Sequence, residues 1–134
     1  MSLIQWSDAY SVGIAKFDSQ HKQLVAQVNE LHAAMAAGQA NQALGDILNR
    51  LVAYTDTHFV DEEVAMTKFN VPGLAVHKDE HQKLRSQVVK FAGDFSAGRA
   101  AMSIEILLFL KSWLVQHMQK SDKNYGPHLK GKTL

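Results

Sequence analysis

Apolar residues recur at the three- and four-residue spacing of an α-helix in four separate stretches of this chain, and no stretch reads as a strand. The first stripe reads His21, Leu24, Val25, Val28, Leu31 and Met35; Asp18 or Ser19 is its expected cap and Gly38 its expected stop. The second, with Asn41 as the expected cap, reads Leu44, Leu48, Leu51, Thr55, His58, Glu62, Met66 and Phe69 before Asn70, Pro72 and Gly73 break the pattern. The third is a heptad seam of Leu74, His77, His81, Leu84, Val88, Phe91 and Phe95, closed by Gly98. The fourth is predicted to begin near Ser103 and to run through Ile106, Leu107, Leu110, Trp113, Leu114 and His117 towards Asp122, with Gly126 and Pro127 beyond it. Amphipathic helices joined by short loops predict an all-α fold, an antiparallel up-down-up-down four-helix bundle. The expected organisation is one domain over residues 1–134: an irregular N-terminal arm (1–18) carrying Trp6 and Tyr10, the bundle (19–122) and a C-terminal tail (123–134).

Composition narrows the chemistry. A chain of 134 residues buries roughly two thirds of its unfolded surface, enough for a real core. The formal net charge of +1 gives no electrostatic footprint for nucleic acid or for an acidic membrane surface. Cysteine is absent, so any metal must be held by nitrogen and oxygen. No stretch approaches the ~20 apolar residues of a membrane span, and the opening MSLIQWSDAY lacks the basic and apolar regions of a leader, so the expected location is cytoplasmic, without stable membrane association. Histidine, with seven residues, is the one type in clear excess.

Five of those histidines, His21, His58, His77, His81 and His117, fall on the apolar stripes together with Glu62. His58 and Glu62 are one helical turn apart, as are His77 and His81, so each pair presents two donor groups in one direction. A single pair of this kind is usually accidental. Five buried imidazoles without partners are a different matter, because each unsatisfied polar group costs about 1–3 kcal/mol against a total stability of about 5–15 kcal/mol. Metal coordination satisfies them, and neutral imidazole with carboxylate suits iron. His117 and Asp122 are five residues apart, one turn of a π-helix. On spacing alone Asp122 reads as a solvated end-of-helix aspartate unless a π-bulge swings it inward. Asp18 reads as a cap, or as a partner orienting His21. Asp61, Glu63, Asp79 and Glu80 read as solvated, and His32 and His128 as exposed.

Taken in order, the segments FDSQH (ending at His21), HFVDEE (His58, Glu62), HKDEH (His77, His81) and HMQKSD (His117, Asp122) resemble the haemerythrin family, and more closely its single-domain bacterial members, the bacteriohaemerythrins. The Trp6 arm and the Trp113–Leu114 pair share the likeness. The resemblance implies two iron ions: one held by His77, His81 and His117, the other by His21 and His58, bridged by Glu62, Asp122 and a solvent-derived oxo or hydroxo group. It implies a sixth, open position on the second iron, where dioxygen would bind. The implied function is reversible dioxygen binding for transport, storage or delivery to an unidentified protein recipient, and not catalysis. Five neutral imidazoles against two carboxylates, with no Glu-x-x-His motif, should favour release of oxygen over its activation. Leu114, Trp113, Leu24 and Val25, each one turn from His117 or His21, are the expected dry wall of the oxygen pocket. Alternatives on the same metals are an oxygen or redox sensor, a ferroxidase or iron store, and a peroxide or nitric oxide scavenger. The H-x-x-E-H run His77–His81 also fits a zinc peptidase with Glu80 as base.

Overall fold

Among the residues described by this computed structural model, 3–98, 101 and 104–133 with Ser121 by its backbone alone, all regular structure is helical. α1 spans Ala15–Ala36, α2 Asn41–Lys68, α3 Leu74–Ser96, α4 Ile104–Gln116 and the short α5 Gly126–Leu129. The expected start of the fourth helix near Ser103 lies outside the described residues. The four long helices form the up-down-up-down bundle, α1 packing on α2 and α4, and α2 on α3. No helix among the described residues is long and apolar enough to cross a membrane.

The helices follow the stripes because the stripes are what the bundle buries. Leu24, Val25, Val28 and Leu31 of α1 meet Leu44, Leu48 and Leu51 of α2, Val88 and Phe95 of α3, and Leu107, Leu110, Trp113 and Leu114 of α4 in one apolar cluster. A second cluster gathers Val12, Ile14, Phe17, Ala65, Met66, Val71, Tyr125 and Leu129. Between α2 and α3 the chain reverses through Asn70 (φ 51°) and Gly73 (φ 85°), a left-handed conformation that these residue types accept at least cost.

Three boundaries differ from expectation. α1 starts at Ala15, not at residue 19, because Asp18 does not cap it. Instead its carboxylate reaches back to the arm, accepting the Ser11 hydroxyl (2.6 Å) and the Val12 N–H (2.8 Å). Asn41 is the first residue of α2, with Ala40 at the cap position and no side-chain cap bond. The segment after Asp122 is no loose tail: Tyr125 and Leu129 are fully buried, and Gly126 lies so close to the arm that a Cβ there would be 2.6 Å from the Val12 carbonyl oxygen. The arm is pinned in turn by paired bonds between the Ile4 backbone and the Asn29 amide (2.9 and 2.8 Å).

Candidate metal centre

The seven polar residues that the sequence singled out come together between the two apolar clusters. His58 faces Phe17 of one cluster (6.2 Å between ring centres) and Phe59 of the other (6.1 Å). All seven are buried, four of them, His21, His58, Glu62 and Asp122, completely. They form two groups able to hold a metal ion, His21, His58, Glu62, His117 and Asp122, and Glu62, His77, His81, His117 and Asp122, each with its ligand atoms within 4.8 Å of one another. Glu62, His117 and Asp122 are common to both. Glu62 Oε1 lies 3.2 Å from Nε2 of His58, His81 and His117. Asp122 sends Oδ2 to His21 (2.6 Å) and His117 (2.8 Å), and Oδ1 to His77 (3.0 Å).

This packing is poor hydrogen bonding and good coordination chemistry. His77 Nε2, His81 Nε2 and Asp122 Oδ1 are buried yet make no hydrogen bond, their nearby partners being badly aligned. His21 and His58 bring Nε2 atoms to 3.0 Å from each other. Five ring nitrogens aimed at two shared carboxylates, with lone pairs left over, match what a pair of divalent or trivalent ions takes up, and nitrogen with oxygen donors suits iron. The residues fit a two-metal centre.

Asp122 arrives there by a π-turn over His117–Ser121, in which the Asp122 N–H bonds to the His117 carbonyl. The five-residue spacing thus places both side chains inward, where regular α-geometry would leave Asp122 off the stripe. The solvated role that spacing alone favours for Asp122 does not hold, since it is fully buried.

The model of the family described as Hemerythrin HHE cation binding domain matches residues 12–129. The chain belongs to the haemerythrin family. It is 36% identical over 130 residues to the bacteriohaemerythrin of Methylococcus capsulatus, covering 96% of this chain and 98% of that one. It is 32% identical over 130 residues to the bacteriohaemerythrin of Stenotrophomonas maltophilia, covering 97% of this chain and 84% of the relative. A crystal structure of wild-type haemerythrin superimposes with a TM-score of 0.92 at 35% identity, covering 97% of this chain and all of the other (100%).

Around this haemerythrin-type cluster the structure adds side chains that sequence reasoning missed. Gln20 Oε1 accepts the Nδ1–H of His58 at 2.6 Å, and its Nε2 donates to Asp61 at 2.7 Å. Glu63, expected to be solvated, accepts the Nδ1–H of His81 at 2.8 Å. Tyr125, fully buried, donates its hydroxyl to Glu62 Oε2 at 2.6 Å. Phe59 stacks flat on His81, 3.9 Å between ring centres and 4° between planes. Asp18, tied to the arm, does not orient His21, whose Nδ1 is buried without a partner. His128 is exposed as expected, His32 half-buried, and Glu80 belongs to neither metal-capable group. Of the expected oxygen-pocket residues, Leu24, Val25 and Leu114 are packed in the main cluster; Trp113, also buried, faces His117 (5.8 Å between ring centres) beside a groove of about 410 Å³ between α3 and α4.

Charge within the cluster balances itself when no metal is bound. Burial pushes His77 and His117 down, but the carboxylates of Asp122 and Glu62 outweigh it and raise them to about 9 and about 10. Burial pushes Glu62 and Asp122 up, and for Asp122 the charge of Glu62 adds to that push, yet the neighbouring histidines hold both below the ordinary carboxylate range. His58, with burial dominant, is lowered, and burial beside Glu62 and Asp122 raises Tyr125 well above 10, keeping it a donor.

The raised histidines stabilise the metal-free fold fully below their ordinary value of 6.5, and that contribution is lost as pH climbs through about 9 and about 10. The lowered carboxylates stabilise it above their ordinary values of 4.5 and 3.8, and lose that contribution on acidification. The metal-free protein is therefore expected to melt highest near about pH 5–6 and progressively lower towards pH 10. Melting curves in chelator across that range check this; a midpoint that climbs from pH 6 to 9 contradicts it.

Proposed function

We propose that this protein binds dioxygen reversibly at a di-iron centre held by His21, His58, Glu62, His77, His81, His117 and Asp122, and serves oxygen transport, storage or delivery instead of catalysis. One observation carries the reading: five buried imidazoles converge on two carboxylates that both metal-capable groups share. In this reading His77, His81 and His117 would hold one ion, His21 and His58 the other, and Glu62 and Asp122 would serve both. Bound iron supplies dioxygen with a reversible two-electron partner.

The chain's own residues tune that chemistry towards release. Five neutral imidazoles donate less charge than a carboxylate-rich set, which disfavours oxygen activation. Tyr125, raised far above neutrality, holds Glu62 Oε2 by a neutral hydroxyl and adds no charge. Leu114, Leu24, Val25 and Trp113, all buried, would keep water away from the metals. Leu114 is fully buried, so Leu114→Ala opens space one turn before His117. The variant is expected to autoxidise several-fold faster than the parent, read as decay of the oxygenated absorption band, and an unchanged rate removes Leu114 from the pocket.

The test of the reading is metal content together with the visible spectrum of the reduced protein before air, in air and after return to vacuum. Two irons per chain and a charge-transfer band that comes in air and goes under vacuum are expected. Two irons with irreversible oxidation would turn the reading to scavenging or redox sensing, and colourless zinc would revive the peptidase.

A further inference from the structure

The bonds on the outer nitrogens of the histidines are unequal in charge. His81 gives its Nδ1–H to the carboxylate of Glu63 at 2.8 Å. His58 gives its Nδ1–H to Gln20, a neutral amide, at 2.6 Å. The orientation of that amide is fixed by the chain itself, because Asp61 Oδ2, 2.7 Å from Gln20 Nε2, accepts only. The NH2 must face Asp61 and the carbonyl oxygen must face His58. Gln20 and Glu63 are both half-buried, so neither bond is open to bulk water on all sides. Nδ1 of His21 and Nδ1 of His117, one on each side, are buried without a hydrogen-bond partner, so the difference between the two positions lies in the partners of His81 and His58.

A carboxylate accepting the outer N–H of an imidazole draws the proton outward and makes the inner nitrogen a stronger donor, whereas an amide does so far less. A stronger donor favours the more oxidised state of the ion it serves. Resting on the ligand set proposed above, we propose that Glu63 and the Gln20–Asp61 pair make the two metal positions electronically unequal. An ion held by His77 and His81 would be oxidised at the lower potential, and one held by His21 and His58, with fewer histidines, at the higher. Gln20, Asp61 and Glu63 are in this sense positioning residues that set the order of electron loss to an outer-sphere one-electron oxidant, each step removing one electron from one ion and reducing the oxidant by one.

The experiment is a mediated redox titration of the fully reduced protein loaded with iron-57, followed by Mössbauer spectroscopy at the midpoint. The wild type should show two resolved one-electron steps. Glu63→Gln should raise the first step and Gln20→Glu should lower the second, so both narrow the gap. Asp61→Asn, which touches no histidine, leaves the Gln20 carbonyl on the His58 Nδ1–H but removes the negative charge that polarises the amide, so it should raise the second step and widen the gap. Replacing outer partners typically costs 10–100-fold in metal affinity or activity; the shift expected here is about tenfold in the oxidation equilibrium, or about 59 mV per electron. Steps that do not move, or that move alike in Glu63→Gln and Gln20→Glu, overturn the proposal. Should either of those variants fail to load iron, the sign of the Asp61→Asn shift decides. A wild type that does not take two irons overturns this proposal and the ligand set together; two irons with unmoved steps overturn this proposal alone.

Discussion

Stripping metal from the loaded protein with a chelator at neutral pH is expected to lower its thermal midpoint by roughly 15 °C. An ion that binds only the folded chain stabilises it by RT ln(1 + [L]/Kd), about 4 kcal/mol at a thousandfold excess over Kd. A domain of this size shifts by about 3–5 °C per kcal/mol. The structural source is the crowding of seven buried polar side chains whose lone pairs outnumber their hydrogen bonds. Protons take the place of metal only in part, and less so as pH rises, because loading requires the imidazoles to be deprotonated. The difference between loaded and stripped midpoints should therefore grow from pH 6 to pH 8. Equal midpoints in differential scanning calorimetry would defeat the argument that buried donors await an ion.

Phe59→Ala is expected to cost about 3–5 kcal/mol, the usual range for an aromatic deleted from a packed core. Its ring is fully buried, lies flat on His81, and touches Trp113 and His117 edgewise or at a tilt, with centres at 5.9 and 5.3 Å. It also forms the floor of a groove of about 350 Å³ between α2 and α3, beside the Arg85–Asp56 ion pair (2.7 Å). Losing the ring therefore removes both the packing and the lid over His81. The midpoint should fall by about 10–20 °C, and iron should leave to a chelator faster. Phe59→Leu, which keeps most of the apolar bulk, should lose much less on both counts. A Phe59→Ala protein melting within about 2 °C of the parent would show that the stack carries no weight.

The bundle could be read from the sequence because burial repeats at helical spacing: Leu44, Leu48, Leu51, His58, Glu62 and Met66 are one face both on paper and in space. His21, His58, Glu62, His77, His81 and His117 could be read for the same reason, as polar residues in an apolar stripe. By spacing Asp122 was visible only as an anomaly, five residues after His117, whose cause is the π-turn; the family resemblance alone put it among the ligands. Gln20, Asp61 and Glu63 could not be read at all, since a glutamine or acid on the polar half of a helix looks the same whether it meets water or the back of a histidine. The early start of α1 was hidden likewise: Asp18 has the composition of a cap, and its real partners, Ser11 and Val12, lie in an arm without periodicity. Tyr125 left one faint signal, an aromatic three residues after Asp122 and just before a Gly-Pro pair.

His21 and Asp122 meet at 2.6 Å although 101 positions separate them in the chain. A ribosome adding about 5–20 residues per second needs about 5–20 s to cover that distance. Until the end of that interval every donor set is incomplete, because Asp122 belongs to both metal-capable groups and is the last of the seven to be made. A complete site therefore exists only once residue 122 has been added, beside the arm and α5, which meet where Gly126 approaches the Val12 carbonyl.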